Sequence, residues 1–370
     1  MTVRVATFNA ENLMHRFDFS GFRNALRRDR TLDMLDVRTK EQYELLEQAR
    51  VVAHTDDTMQ LTALAIADCR ADIVCLQEVE NMAALEAFEY GYLFRMTGRG
   101  FKHKVLLEGN DTRGIDVCLM MREETATGDA IEFVRATSHA GLTYQDFGLE
   151  SQALTETGNE PHERIFRRDC LEVDLKIAGR PLTLYLVHFK SMGRQRDDVD
   201  GREWTMPIRD AEAKAVRMII EKRFGTGKTA NKRWLICGDL NDYRSRMIVS
   251  GTRHSGYGFS SVTEARSGFD ALLQGGFSEN LVLRRPEDDQ WTLYHSRGPE
   301  HQHLCQLDYI LASPAMAERN PKAVPEIIRN GQPYRTPFPE GQWVERYPRT
   351  GWDRPKASDH CPVVVELNVP

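Results

Sequence analysis

The chain has 370 residues, 41% of them hydrophobic and 28% charged, so it can bury a large core as one big domain or two ordinary ones. Its formal net charge of -6 excludes a globally basic nucleic-acid binder, and a polyanion would have to meet a local basic rim. No apolar run approaches the roughly 18 residues of a membrane-spanning helix, and the seven cysteines lack the paired spacing of a disulfide framework or a zinc site.

The chain opens on an alternating strand at 3–9 rather than on the charged and apolar regions of a secretory signal. Together with the cysteine usage this predicts a reduced, cytoplasmic protein. The strand ends at Asn9-Ala10-Glu11-Asn12, where an Asn is ordinarily a turn former. Residues 16–57 are charged with little apolar periodicity and are expected to form an exposed insertion. Leu61, Leu64, Ala65 and Ala67 then share one helical face, and a strand at 73–76 ends at Gln77-Glu78. The Glu78 carboxylate therefore emerges at a sheet rim, and such strand ends line the ligand crevice of α/β sheets.

A helix at 82–89 and strands at 102–107 and 115–120 follow. Asp116 lies inside an apolar strand, where an unpaired carboxylate is costly, so a donor from Arg113 or a neighbouring strand's histidine is expected. The polar stretch 137–163 reads as a surface excursion, and Arg167-Arg168 read as solvated, with ligand binding the alternative. Strands at 171–177 and 182–187 are joined by a hairpin at Gly179-Arg180, and His188 ends the second. Residues 191–210 mix bases and acids as a loop, 211–222 read as a helix, and a strand at 234–237 ends at Gly238-Asp239-Leu240-Asn241-Asp242. Residues 243–266 read as polar and irregular, 268–274 as a helix, and 291–295 and 306–311 as strands, with Asp308 interrupting the apolar run of the last.

Residues 319–356 hold seven of the fifteen prolines, eight basic residues against four acidic ones, and Tyr334, Phe338, Trp343, Tyr347 and Trp352. Proline at this density works against helix and sheet. Directly before Asp359-His360, the segment reads as a lid over a site or equally as a loop packed on the side of the fold. Its basic and aromatic groups together suit a ligand with phosphate and a stacking surface.

Asn9, Glu78, His188, Asp239, Asn241, Asp308, Asp359 and His360 all fall at or near the ends of apolar strands. Singly, each is as readily a turn former or a structural hydrogen-bonding group. Jointly they supply carboxylates for a hard divalent cation, two imidazoles and two amides, which is the inventory for metal-assisted hydrolysis of a phosphate ester. There is no Gly-x-x-x-x-Gly-Lys loop, no dinucleotide fingerprint and no Gly-x-Ser-x-Gly elbow, so kinase-like, dehydrogenase and covalent serine readings have no support.

The stretches Thr7-Phe8-Asn9-Ala10-Glu11-Asn12, Leu76-Gln77-Glu78-Val79, Arg113-Gly114-Ile115-Asp116-Val117 and Val187-His188-Phe189-Lys190 mark the first half. Gly238-Asp239-Leu240-Asn241-Asp242, Leu307-Asp308-Tyr309-Ile310-Leu311 and Ser358-Asp359-His360-Cys361-Pro362 mark the second. In this order, and over nearly the whole chain, they resemble the endonuclease/exonuclease/phosphatase superfamily. The resemblance implies a DNase I-like α/β (α+β) four-layer sandwich, with two packed mixed β-sheets flanked by helices. It implies one catalytic domain over 1–370, with surface insertions near 16–57 and 137–163 and the lid at 319–356.

It also implies roles. Glu78 is expected as the principal ligand of Mg2+ or Mn2+, with Asn9 close to the metal and Asp359 assisting. Asp239 would orient or deprotonate the attacking water, and Asn241 would steady the phosphorane oxygens. His360, oriented by Asp308, would contact the scissile phosphate, His188 would lie near the leaving group, and Arg113 and Lys190 would bind substrate. Whether Asp239 or His360 is the base stays open.

The first expectation for function is a nuclease or nucleotide phosphodiesterase, because the lid mixes arginines with aromatics. A phosphatase or phosphodiesterase on small-molecule, inositol or lipid head-group phosphates is the alternative, supported by the acidic net charge. A non-enzymatic binding protein on the same fold is a remote third. The expected partner is the phosphoester substrate, with no transmembrane segment and no protein partner deducible.

Overall fold

Two six-stranded mixed sheets stack face to face in a computed structural model that describes residues 1–14, 38–42, 55–193, 200–298 and 301–370. The insertion expected at 16–57 lies almost wholly outside the described residues. In chain order the strands begin with β1 (Thr2–Leu13), β2 (Ile73–Val79), β3 (His103–Leu106), β4 (Asp116–Met121), β5 (Ile131–Ser138), β6 (Cys170–Ile177), β7 (Arg180–His188) and β8 (Trp234–Asp239). They continue with β9 (Ser245–Thr252), β10 (Gly256–Thr263), β11 (Glu279–Asn280), β12 (Leu293–Ser296), β13 (Gln302–Cys305), β14 (Asp308–Ala312), β15 (Glu326–Ile327) and β16 (Val363–Asn368). One large sheet runs β15-β16-β1-β2-β4-β3 and the other β11-β14-β8-β7-β6-β5, while a small third sheet runs β10-β9-β13-β12. Each large sheet has a parallel pair at its middle, β1 with β2 and β7 with β8, flanked by antiparallel partners.

Side chains alternate between the two faces of a strand, and this parity builds the layers. Val3, Val5, Ile73 and Cys75 point from the first sheet into one core with Leu182, Leu184, Leu186, Leu235, Cys237 and Ile310 of the second. The opposite parity, Ala6, Phe8, Val74 and Leu76, packs under helix α1 (Asp56–Asp68). Tyr185, Val187, Trp234, Ile236 and Tyr309 pack under helix α2 (Gly201–Phe224). The result is the expected four-layer sandwich, helix on sheet on sheet on helix. Asn9, His188, Asp239 and Asp308 continue the inward rows of their strands to the sheets' common end, so alternation alone delivers four polar groups to one place.

Several local expectations are corrected. The helix expected at 211–222 begins at Gly201, where Asp200 caps it by accepting from Arg202 N at 2.8 Å, and it carries Pro207 inside. Residues 201–210, expected as part of a mixed loop, are therefore helical, and 194–199 lie outside the described residues. The charges misled because Arg202 and Arg209 are buried, not solvated: their Nε atoms donate to Asp242 at 2.6 and 3.0 Å. The stretch expected to be irregular at 243–266 is the hairpin β9–β10; most of its residues are exposed, and only the short row Met247 and Val249, with Tyr257 and Phe259, packs inward, so little apolar alternation marks it. The helix expected at 268–274 is reduced to short 3-10 turns around Asp270–Leu272. Within 137–163 stand two short capped helices, Tyr144–Phe147 and Gln152–Glu156, whose Tyr144 and Leu154 are buried against α2. The segment 319–356 forms only β15 beyond Arg319 and is otherwise irregular, lying over α1 through Tyr347 Oη to Asp68 at 2.7 Å and Arg349 to Asp57 at 2.7 Å. No helix among the described residues is long and apolar enough to cross a membrane.

Candidate active site

The site is built where the parallel pairs end. Parallel register sets His188 beside Asp239, and antiparallel β14 sets Asp308 on the other side of Asp239. Gly238 permits this closeness, since a Cβ there would lie 1.9 Å from Val187 O. Asp239 is the hub. Its Oδ1 accepts from Asn241 N at 2.7 Å, and its Oδ2 accepts from Asn241 Nδ2 at 3.0 Å and Asn9 Nδ2 at 3.1 Å. The same Oδ2 lies 3.6 Å from His188 Nε2 and 3.8 Å from His360 Nε2. The second hydrogen of the Asn241 amide goes to Phe189 O at 3.1 Å, so both amide hydrogens are in use within the protein. Asp242, gripped by Arg202, Arg209 and Gly268 N, braces the loop that carries Asn241.

His360 is oriented from behind. Its Nδ1 and Asp308 Oδ2 are 2.9 Å apart, and Thr292 Oγ1 donates to that same oxygen at 2.7 Å. Burial pulls the His360 pKa down, but Asp308, Asp239 and Asp359 outweigh it and raise the ring well above the ordinary imidazole range. Asp239 is pushed up to about 7 by burial and by Asp308, against the pull of His360. His188 goes the other way: burial, then Arg168 and Arg113, hold it well below its usual value, and its buried Nδ1 has no hydrogen-bond partner among the described residues. The pocket thus holds one imidazole that favours the cation and one that favours the neutral ring.

Glu78 arrives by a different route. Parity along β2 would send it towards the helix layer with Val74 and Leu76, but its φ of 63° turns the side chain into the cleft. There its Oε2 accepts from Asn12 N at 2.9 Å, and its Oε1 lies 3.9 Å from His188 Nε2. Glu11, Asn12 and Asn241 also have positive φ, so four of the seven such non-glycine residues described surround the site. Left-handed backbone at such residues costs about 1–3 kcal/mol each and persists where surrounding contacts impose it. Asp359 N donates to Glu11 Oε2 at 3.0 Å, and Glu11 also holds Lys356 at 3.1 Å and Arg354. Ser358 Oγ donates to Asn9 O at 2.7 Å, tying the segment before His360 to the end of β1.

All eight strand-end candidates therefore meet. Arg113 lies at the rim, where its guanidinium bonds both oxygens of Asp111 at 3.1 Å, and Lys190 follows β7 with its backbone N donating to Glu212 at 2.7 Å. Two contributors escaped the sequence reading. Arg168, expected to be solvated, is 4% exposed, forms an ion pair with Asp111 at 2.9 Å and donates to Phe189 O at 3.1 Å, lending positive charge to Glu78 and His188. Glu212 is fully buried on the inward face of α2 and accepts from the backbones of Arg167 and Lys190, pinning two strand ends. A charged residue amid Ala211, Ala213 and Ala215 was the available signal for it. The donor to Asp116 is Gly109 N at 2.8 Å, not Arg113 or a histidine, and burial pushes that carboxyl up to about 6.

Among the described residues no group of three or more His, Cys, Asp or Glu side chains could hold a metal ion as a protein cage. The chemistry of the donor set fits a different type of site, because a hard Mg2+-like cation keeps its waters and needs one or two carboxylates plus substrate oxygens. Burial raises the proton affinity of Glu78 against the pull of Arg113, and Asp359 adds to the rise. Such a carboxylate gains from a nearby cation. Asn9 Oδ1 accepts from Glu11 N at 3.0 Å and keeps a second lone pair.

The family model described as "Endonuclease/Exonuclease/phosphatase family" matches residues 7–360. Comparison with curated protein sequences gave no match. Among solved structures, truncated Caenorhabditis elegans TDP2 is 12% identical with a TM-score of 0.49, over 99% of this chain and 98% of that one. The human Nocturnin catalytic domain with bound sulfate anion is 14% identical with a TM-score of 0.49, over 100% and 95%. Sphingomyelinase C from Streptomyces griseocarneus is 14% identical with a TM-score of 0.47, over the full length of both chains.

Proposed function

The chain belongs to the endonuclease/exonuclease/phosphatase family and has its DNase I-like fold, and on that premise we propose that it is a divalent-metal-dependent phosphodiester hydrolase, most readily a nuclease or nucleotide phosphodiesterase. The observation that carries the reading is the geometry around Asp239: a carboxylate held by three amide donors between two imidazoles, one of them backed by Asp308. A cation held by Glu78, with Asn9 and Asp359 beside it, would neutralise charge on the phosphoryl oxygens. We assign Asp239 to align the attacking water and take its proton, since its lone pairs are aimed by fixed donors. His360, its Nδ1 held by Asp308, offers Nε2–H to a phosphoryl oxygen and stabilises charge that grows in the transition state. His188, deeper and neutral, faces the leaving-group side. Asn241, expected to steady the phosphorane, is assigned instead to holding Asp239, because its hydrogens are already in use. Arg113 and Lys190, with Arg168, supply the positive rim that draws in the phosphate.

Hydrolysis of bis(p-nitrophenyl) phosphate that needs added Mg2+ or Mn2+ tests this reading, and no turnover with either ion would remove it. A second reading, a phosphatase or phosphodiesterase on small-molecule or head-group phosphates, is favoured by one observation. The lid's cations are largely spent on the protein itself: Arg329 on Asp289, Arg335 on Asp353, Arg349 on Asp57, and Arg354 and Lys356 on Glu11. Oligonucleotide binding that weakens steeply with salt supports the first reading, since phosphate contacts release counterions. Salt-independent binding with release of inorganic phosphate from monoesters supports the second. A cytoplasmic setting agrees with the seven cysteines, all buried and unpaired.

A further inference from the structure

The lid divides by use. Phe338 packs 5.3 Å from the Trp291 ring with Arg346 4.0 Å over it, and Tyr347 is tied to Asp68, so these aromatics belong to the fold. Tyr334, Trp343 and Trp352 instead remain 54, 70 and 53% exposed. Two of the three are set in place. Tyr334 N donates to Gly351 O at 3.0 Å and Arg335 N to Trp352 O at 2.9 Å, which brings Tyr334 and Trp352 onto adjoining segments. Arg253, from the tip of the β9–β10 hairpin, lies 5.3 Å over the Trp352 ring. One side of the indole is thus backed by a cation while half of its surface stays open.

This arrangement is continuous with the site. Arg354, two residues after Trp352, bonds Glu11, and Glu11 in turn holds the Asp359 backbone N at 3.0 Å. Singly exposed aromatics are ordinary, but exposed aromatics on adjoining segments, rimmed by polar groups, are the kind of patch that marks an interaction site. The chemistry selects among occupants. Asp353 and Arg354 directly follow Trp352, and charged groups there oppose burial in an acyl layer. A duplex keeps its bases stacked on one another, whereas an unpaired base offers a π face to an indole.

We propose that Trp352, backed by Arg253 and neighboured by Tyr334, is the stacking platform for an unpaired nucleobase whose phosphodiester lies at Asp239 and His360. This deepens, and rests on, the phosphodiesterase reading. It makes single-stranded nucleic acid or a nucleotide ester the substrate class.

With EDTA present to stop turnover, a deoxyadenosine hexanucleotide should quench the intrinsic tryptophan fluorescence, and a hexamer of abasic deoxyribose phosphates should not. Trp352→Ala should remove the quench and weaken hexanucleotide binding about tenfold, within the roughly five- to 150-fold that one stacked base provides. Trp352→Phe, which keeps a ring, should restore base-dependent binding, and Trp343→Ala should leave quench and affinity in place. With Mg2+, Trp352→Ala should raise the KM of p-nitrophenyl thymidine 5′-phosphate about tenfold relative to that of methyl p-nitrophenyl phosphate, as loss of stacking on the base predicts. Equal binding of the adenine and abasic hexamers, a quench that survives Trp352→Ala, or quenching by phosphatidylcholine vesicles in place of the oligonucleotide overturns the proposal. If the wild-type protein hydrolyses neither ester, the phosphodiesterase reading falls, and the fluorescence result still decides whether the platform binds a base.

Discussion

Two regions of the molecule, one with a buried imidazole and one with half-buried imidazoles, treat the ring in opposite ways. At the end of the large sheets His360 sits among Asp308, Asp239 and Asp359, whose charges prevail over burial and keep the ring cationic. On the small sheet His303 of β13 stands opposite His295 of β12, ring centroids 4.9 Å apart. There burial, His295 and the guanidiniums of Arg246 and Arg297 push His303 from the ordinary 6.5 down to about 3. The residue type is the same, and the sign of the neighbouring charge decides the protonation state. His188 shows that both treatments reach the site itself, since it lies 3.6 Å from the same Asp239 yet is held neutral by burial, Arg168 and Arg113. Environments that push titratable groups apart are what acid–base chemistry at one pH requires.

The largest effects should come from breaking the carboxylate side. His360→Ala or Glu78→Gln should leave the protein folded and lower kcat about 10³-fold or more, as expected for removal of a charged transition-state contact. Unchanged turnover in either purified, folded variant would sink the site. Asp308→Asn removes the charge behind His360 and should lower kcat about 10²–10⁴-fold while costing about 3–5 kcal/mol of stability, because a buried charge loses its partner. Adding it to His360→Ala should cost little further activity, and fully additive losses would mean that Asp308 does not act through His360.

The guanidinium side should be visible in stability rather than rate. His303 has a folded-state pKa of about 3 against an ordinary 6.5, so the unfolded chain binds more protons between those values. Its contribution to stability is complete above the unfolded value and is lost as pH falls towards the folded one. Between pH 7 and pH 5 the wild type should therefore lose about 1–2 kcal/mol more than His303→Gln in denaturant titrations. Parallel losses in the two proteins would show that His303 is not held neutral. The smallest expected effect on activity is that of Thr292→Val, which deletes the hydrogen bond to Asp308 Oδ2 and the acceptor of the Leu307 and Asp308 backbone N–H groups, and should cost about 1–3 kcal/mol of stability with the pH optimum unmoved.

Much of the site could be read from the order of residues because strands alternate. Asn9, His188, Asp239 and Asp308 carry the inward parity of rows that the apolar residues already define, so their convergence follows from local pattern once two sheets face each other. Glu78 was found by its place after an apolar strand, although parity alone would have turned it away from the cleft. Arg168, Glu212, Arg202 and Arg209 were read as solvated or passed over because a charge in a sequence is solvated by default, and each is buried here by a partner far along the chain. The hairpin β9–β10 was missed for the converse reason: its one buried row is only Met247, Val249, Tyr257 and Phe259, set among glycines and serines, and so short a row leaves little apolar pattern to see.

By itself the sequence determined the alternation of the strands, the polar residues that end them and the Gly-Asp-x-Asn turn whose glycine lets β7 and β8 close up. These are matters of backbone geometry and period, which act over a few residues. Only the tertiary structure decided that Glu78 turns inward, that Asn241 serves Asp239, that one imidazole is cationic and another neutral, and which lid aromatics stay open. Those outcomes depend on burial and on charges brought together from distant parts of the chain, and no local pattern carries them.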